Sequence, residues 1–412
     1  MDLAFFTNFS ASLTAQETEL NTLQQEISSG VAVQTPEQDP SAFETALIGN
    51  DQISALNGET TSLGDIQGQL GDVSNVYSSV SGLLNNVQSV VEEALNGTTS
   101  PQNQQALATE VSAAGTQMLG LANTTGTNGT FLFGGTRGTV QPFQVQADGS
   151  IAYMGDGGQS QAAISPDLST STVATGEAFT SGLAGDGTSS VTATSTNTGT
   201  SVLLSDGVSN PTAAAAFQTG GAPITLAFTS NGTGGLTYTA SQGGVTLPVS
   251  AGTPAPTGPV TPGTSTSLEF DGMDFQLTGT PASGDSFTIS PSTPQSVFTL
   301  LSNIASTLEN PGTSPATAAI TRQNLNQDLS SLAQYQQTVV TAQAQTGVTL
   351  QSLATTSTSN STQETSLQTS VNNAIATNFP AALTSLDQNT TAVEAAMKAF
   401  AQVQSLSLFS VI

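Results

Sequence analysis

Three cations, Arg137, Arg322 and Lys398, stand against 29 acidic residues in a chain of 412, and there is no His or Cys. These absences remove the commonest general bases, the thiol nucleophile and the nitrogen and sulfur ligands of a zinc site. A Ser–Lys dyad would need a serine three positions before Lys398, where the chain has Ala395. The run Gly134-Gly135-Thr136-Arg137-Gly138 lacks the Lys-Ser/Thr pair of a phosphate loop and opens no evident helix. It reads instead as a tight corner where glycine permits close backbone approach. Asp271, Asp274 and Asp285 could offer oxygen to Ca²⁺, but their spacing is not that of a calcium loop, and they read as turn residues. Asp148-Gly149 and Asp156-Gly157 have hairpin-turn chemistry. No carboxylate pair is marked by its context. The expectation is a protein with no catalytic, cofactor-binding or metal site, and not an enzyme.

The formal net charge is −26. Three cations cannot release many counterions from a polyphosphate, which argues against nucleic acid as a partner. The same deficit disfavours anionic lipid, and no apolar run approaches the ~20 residues of a membrane span, so membrane insertion is not expected. Only 8% of residues are charged, so the polar surface is built mainly from Ser, Thr, Asn, Gln and Gly, which suits an extracellular part. The start, MDLAFFTNFSASLTAQETEL, has neither a basic n-region nor a long apolar h-region. The expectation is secretion without a Sec signal peptide. Arg137 and Arg322, rare cations in an anionic chain, are each expected to meet a carboxylate or to stand as surface charges of small effect.

Composition divides the chain into helix-periodic ends and a middle rich in Gly, Ser, Thr and Pro. Leu56, Leu63, Leu70, Tyr77, Leu84 and Val91 recur at seven, and Ile66, Val73, Val80, Val87 and Ala94 lie three beyond members of that series. This is an a/d seam sustained for more than four heptads. As one helix, positions 56 to 94 would make a rod of roughly 60 Å. Asn96-Gly97 and Ser100-Pro101 break it, with Ser100 as N-cap and Pro101 at N1 of a second helix, whose stripe is Leu107, Val111, Ala114, Met118 and Leu121. Downstream, Leu325, Leu329, Leu332, Val339, Leu350 and Leu353 share one heptad register, with Gln336, Gln343 and Thr346 as its polar members.

The extreme ends carry narrower stripes: Leu13, Leu20, Leu23 and Ile27 at one, and Phe379, Leu383, Leu386, Val393, Met397 and Phe400 at the other, before an apolar tip of Leu406, Leu408, Phe409, Val411 and Ile412. Seams this thin are marginal alone, so the ends are expected to pair with each other and to become helical on assembly. Between them, FLF at 131–133, ITLAF at 224–228, LTYTA at 236–240, LEF at 268–270, DFQL at 274–277 and SFTI at 286–289 read as short strands separated by turn residues. Residues 181–210 and 250–266 read as long loops. The fold class is therefore α+β: long terminal α-helices forming a helical rod or coiled coil, with an inserted β-rich outer domain. The expected divisions are 1–44 with 373–412, 45–130 with 297–372, and 131–296, with 180–265 as a candidate outward-facing module.

Four segments carry a resemblance. SSGVAVQTPEQDPSAF at 28–43 resembles the segment after the first flagellin helix, with Gln38-Asp39-Pro40 where a basic residue usually stands near Asp-Asp-Pro. ANTTGTNGTFLFGGTRGTVQPF at 122–143 resembles a hook-associated segment ending in Pro-Phe, here Pro142-Phe143, and is the most specific match. FDGMDFQLTGTPASGDSFTISPS at 270–292 resembles a hook-associated G-x-P-x-x-G-D-x-F element, and AMKAFAQVQSLSLFSVI at 396–412 the common terminus. About 180–265 is uncovered. The chain thus resembles the hook-associated protein 3 family, hook–filament junction proteins of the bacterial flagellin class.

That resemblance implies a structural subunit of the extracellular flagellum, exported by the flagellar type III apparatus. It implies a homo-oligomeric layer, hook-associated protein 1 below, flagellin above and an export chaperone before assembly. The terminal stripes would make assembly contacts and the 56–91 series the rod seam. Two alternatives stay open on the residues alone: a flagellin of the filament shaft, which shares the helical features, and a secreted adhesin using the Ser/Thr-rich β region.

Overall fold

In the computed structural model, the described residues are 3–96, 100–158, 161–165, 168–171, 173–232, 235–247 and 257–409. The helices are α1 (Leu3–Ser29), α2 (Pro40–Leu95), α3 (Pro101–Ala122), α4 (Glu177–Thr180), α5 (Pro211–Gly220), α6 (Val297–Glu309), α7 (Pro315–Ile375) and α8 (Phe379–Phe409). The strands are β1 (Phe143–Val145), β2 (Ile151–Tyr153), β3 (Gln161–Ser165), β4 (Leu168–Ser171), β5 (Gly182–Leu183), β6 (Ser189–Ala193), β7 (Val202–Val208) and β8 (Ile224–Ser230). They continue as β9 (Leu236–Gln242), β10 (Val245–Thr246), β11 (Thr257–Val260), β12 (Thr266–Phe270), β13 (Met273–Thr278), β14 (Ser286–Pro291) and β15 (Pro294–Gln295). Long terminal helices thus enclose a β-rich insertion in sequence, the α+β class read above.

The chain forms two compact units, Met1–Gly64 with Ala354–Ile412, and Asp65–Leu353. The division falls within α2 and within α7.

In the first unit α1 packs against α8. Gly30, at φ +73°, ends α1 with its N–H on the Glu26 carbonyl. Two backbone bonds then tie the ends of the chain together, from Ala32 to the Ile375 carbonyl (2.7 Å) and from Thr377 to the Gly30 carbonyl (3.0 Å). Where α2 meets α7, a Cβ on Gly49 would fall 2.4 Å from Cγ2 of Val371, so glycine sets how closely the two helices approach.

The second unit holds two cores. The helical core joins α2, α3, α6 and α7 through Val73, Leu84, Val111, Met118, Leu300 and Leu332, all buried. Ser100 caps α3 by accepting the Asn103 N–H at 3.2 Å, with Pro101 at the first helical position, as its sequence reads.

The β core lies between an antiparallel sheet ordered β10-β9-β8-β14-β6, with β11 also on β9, and a smaller sheet ordered β12-β13-β7. β13 alternates as a half-buried strand should: Met273, Phe275 and Leu277 point inward, and Asp274, Gln276 and Thr278 are half-buried on the other face. Asp271 (φ 50°) and Gly272 (φ +75°) make the two-residue β12–β13 turn, and both positive angles suit a type I′ hairpin.

Two readings of the middle are corrected. Residues 181–210 are not a long loop, because they carry β6 and β7, whose Val191 and Leu203 are core residues. Nor does 180–265 fold as a module by itself. β14 lies between β6 and β8, and β7 pairs with β13, so strands on both sides of position 265 share each sheet.

Candidate assembly surfaces

The 56–91 series sits on one face of α2. Leu63, Leu70, Tyr77, Leu84 and Val91 are buried, whereas Leu56 is half-buried. The interleaved Ile66, Val73, Val80, Val87 and Ala94 are buried too. One of the polar members of the α7 register is also used: Gln336 donates to Asn85 Oδ1 at 2.9 Å and to Gln88 Oε1 at 2.8 Å, both on α2. Nearer the ends of the same two helices, Asn360 donates to Glu59 Oε2 at 3.3 Å.

Tyr77 lies at one end of an aromatic cluster, centred on Phe143 and Phe179, that sequence reasoning missed. Its ring is 5.6 Å from Phe133, which meets Phe179 edge-on at 5.0 Å. Phe143 contacts Phe179 at 5.4 Å and Phe298 at 5.2 Å. Burial, with Glu177 adding, pushes the Tyr77 hydroxyl up to about 12, so it stays a neutral phenol. The 122–143 segment therefore supplies core as well as a corner. The Tyr153 hydroxyl lies 3.0 Å from the carbonyls of Phe133 and Asp156 and accepts the Gly176 N–H at 3.1 Å, and burial raises its pKa.

The glycine-rich run at 134–138 is built as a corner. A Cβ on Gly135, at φ +64°, would strike the Asp156 carbonyl at 2.3 Å. Asp156 accepts the Thr136 N–H at 2.7 Å, and the Thr136 side-chain and backbone bonds hold its carboxyl below the usual range. Asp156-Gly157 thus anchors a loop and does not turn a hairpin, whereas Asp148-Gly149 does join β1 to β2. Asp285, buried, accepts N–H groups from Thr198 (2.7 Å), Gly199 (3.1 Å) and Ala282 (2.8 Å), which uses its oxygens in a turn. Among the described residues no cluster of three His, Cys, Asp or Glu could hold a metal ion, and no helix is long and apolar enough to cross a membrane. A groove of about 660 Å³ runs between α3, α6 and the β1–β2 hairpin.

At the ends, Leu13, Leu20, Leu23 and Ile27 on α1, and Val393 and Phe400 on α8, are half-buried, while Met397 is exposed. The rings of Phe9 and Phe400 stack at 4.7 Å and 7°. Phe9 was legible, since it lies four residues before Leu13. Leu406, Leu408 and Phe409 lie outside the residues whose side chains are described. Large apolar side chains remain exposed on the long helices: Leu47 and Ile48 on α2, Val340 and Val348 on α7, and Phe379 and Leu383 on α8. Among the described residues the ion pair within 4 Å is Lys398–Glu394 at 3.8 Å, between exposed side chains. Arg137 instead donates to the Met154 carbonyl at 3.5 Å, near Asp156.

Terminal helices that pair with each other, a β-rich insertion between them in sequence, and apolar residues exposed along the long helices are the features that the flagellin resemblance implies. Residues 3–137 match the bacterial flagellin N-terminal helical region. The chain is similar to flagellar hook-associated protein 3 of Escherichia coli (strain K12), with 32% identity over 120 residues, which is 29% of this chain and 38% of that relative, well under two thirds of its length. Its fold is similar to crystal structures of hook-associated protein 3 from Legionella pneumophila (25% identity, TM-score 0.72, 79% of this chain and 98% of that one) and of FlgL from Xanthomonas campestris (25%, 0.68, 79% and 99%). The resemblance read from the four segments is borne out in these comparisons.

Proposed function

We propose that this chain is a structural subunit of the bacterial flagellum at the hook–filament junction. The observation that carries this reading is the extent of the structural likeness: 98% of a hook-associated protein 3 structure aligns with 79% of this chain. The subunit leaves the cell by the flagellar type III apparatus, kept by an export chaperone until then, and forms a homo-oligomeric layer. That layer joins hook-associated protein 1 on one side to flagellin on the other. Its work is contact and not catalysis. The stripes Leu13, Leu20, Leu23, Ile27 and Val393, Met397, Phe400, half-buried except for the exposed Met397, supply with the tip at Leu406, Leu408 and Phe409 the apolar surface that neighbouring subunits cover. The seam of Leu56, Leu63, Leu70, Tyr77, Leu84 and Val91 holds the helices that present it.

A filament flagellin would share the N-terminal region. Stoichiometry separates the two: quantitative mass spectrometry of purified flagella should find this chain as a minor component, of the order of one layer. If it is the principal filament protein, the shaft reading replaces this one.

A further inference from the structure

A cleft of about 500 Å³ opens between α6, α7 and the strands β6 and β15. Its lining is polar, with Ser190 and Thr192 on β6, Asn303 on α6, and Asn324, Gln327 and Asp328 on α7. Asp328 is the sole titratable residue of that lining; Arg322, on the same helix, is exposed and does not line it. Asp328 is only 8% exposed, and its carboxylate meets no hydrogen-bond donor or cation among the described residues. The other buried acidic side chain among the described residues, Asp285, is engaged by three backbone N–H groups.

A buried carboxylate facing a polar cavity without a partner costs free energy unless a proton or a cation joins it. We propose that the Asp328 cleft is a binding site for a guanidinium group. One carboxylate matches one positive charge. A planar guanidinium can bond it bidentately and turn its remaining N–H donors to the side-chain oxygens of Asn324, Asn303 and Ser190. A bare divalent ion suits the site poorly, since Ca²⁺ gathers six to eight oxygens at close range, commonly several from carboxylates. Here one carboxylate lines a cleft far larger than an ion. The net charge of −26 concentrates cations around the chain. The guanidinium can come from a free small molecule or from an arginine of a second copy. Arg137 and Arg322 are exposed, and neither has a carboxylate within 4 Å among the described residues.

The probe is methylguanidinium at millimolar concentration, titrated into the full chain with Tm and NMR shifts as readouts. The wild type should show a saturable rise in Tm and shifts confined to the α6–α7 cleft at pH 8, and Asp328→Asn neither. Because the carboxyl sits near 7, protons compete, and apparent affinity should be roughly 30-fold weaker at pH 5.5 than at pH 8. Should Asp328→Asn fail to fold, Asn324→Ala at the rim should still weaken binding several-fold. An identical response in Asp328→Asn, or saturable binding of Ca²⁺ but not of methylguanidinium, overturns the proposal, as does no saturable response in the wild type. Sedimentation separates the two sources. Self-association lost in both Asp328→Asn and an Arg137→Gln or Arg322→Gln variant supports an arginine of a second copy; self-association intact in all three supports a free small molecule.

Discussion

The side-chain amide of Asn123 holds both backbone groups of Phe143: its Nδ2 donates to the Phe143 carbonyl at 2.9 Å, and its Oδ1 accepts the Phe143 N–H at 3.0 Å. This closes the excursion between the end of α3 and β1 and delivers the Phe143 ring to the cluster of Phe179 and Phe298. It also gives a physical reason for finding Ala-Asn at one end of the 122–143 segment and Pro-Phe at the other. Asn197 repeats the device on Ser286, accepting its N–H at 2.8 Å and donating to its carbonyl at 3.0 Å.

Asn123→Ala removes both bonds and leaves two Phe143 backbone groups without their partner. Urea unfolding should show a loss of about 1–3 kcal/mol, with the near-UV aromatic signal shifted. Asn123→Asp, which keeps the acceptor but loses the donor, should fall between the wild type and the alanine variant.

Leu84 is fully buried in the α2 seam, whereas Leu56 is half-buried. Leu84→Ala should cost about 2–5 kcal/mol by denaturant midpoint, and Leu56→Ala clearly less. Equal costs would mean that the heptad series contributes evenly, against the burial gradient along α2.

The helical half of this fold was legible because its signal is periodic. The stripe at Leu63–Val91 became a buried face, that at Leu325–Leu353 a face buried except at the half-buried Leu329 and Leu350, and Ser100-Pro101 became a cap. The β region was less legible for a physical reason. β6 (SSVTA) is a short, Ser/Thr-rich edge strand and β7 (VLLSDGV) an edge strand interrupted by Asp206-Gly207, and among the described residues their open sides meet side chains of α7 and no further strand. Gln323, 1% exposed, accepts the Leu203 N–H at 2.8 Å and donates to the carbonyls of Leu203 (2.9 Å) and Val191 (3.4 Å), bridging an edge of each sheet. Gln327 accepts the Val191 N–H at 2.9 Å. A contact between positions more than a hundred residues apart leaves no local periodicity to read. At the candidate surfaces the half-buried stripes were visible in spacing, whereas the exposed Leu47, Ile48, Val340 and Val348 break the register and so went unread.

Gln323→Leu should therefore destabilise the β-domain more than its small change in volume predicts, by roughly 1–3 kcal/mol for each backbone group left unpaired. Hydrogen exchange should quicken at Leu203 before it changes in α3.

Burial pushes the Asp328 carboxyl up to about 7. Folded and unfolded chains are both protonated there at low pH, so the group costs nothing below about pH 4. As pH rises toward 7 the unfolded chain ionises first and this contribution to stability falls, by at most ~1.4 kcal/mol per pH unit, levelling off above 7. Asp328→Asn should remove that slope. The stability difference between variant and wild type should thus grow from pH 4 to pH 7 and stay constant from 7 to 9, measured by urea unfolding.

Leu20→Asp places a charge on the half-buried stripe of α1. The unit Asp65–Leu353 should keep its aromatic core and its unfolding midpoint, while incorporation into flagella is lost. A variant that unfolds as a whole would place α1 within the stability of the second unit.

The central claim is best tested in a strain lacking this chain. Electron microscopy of that strain, with immunoblots of its medium, should show complete hooks without filaments and flagellin shed as free protein, reversed by the wild-type chain and not by Leu20→Asp. Filaments of normal length still attached to hooks in the deletion strain would contradict the account.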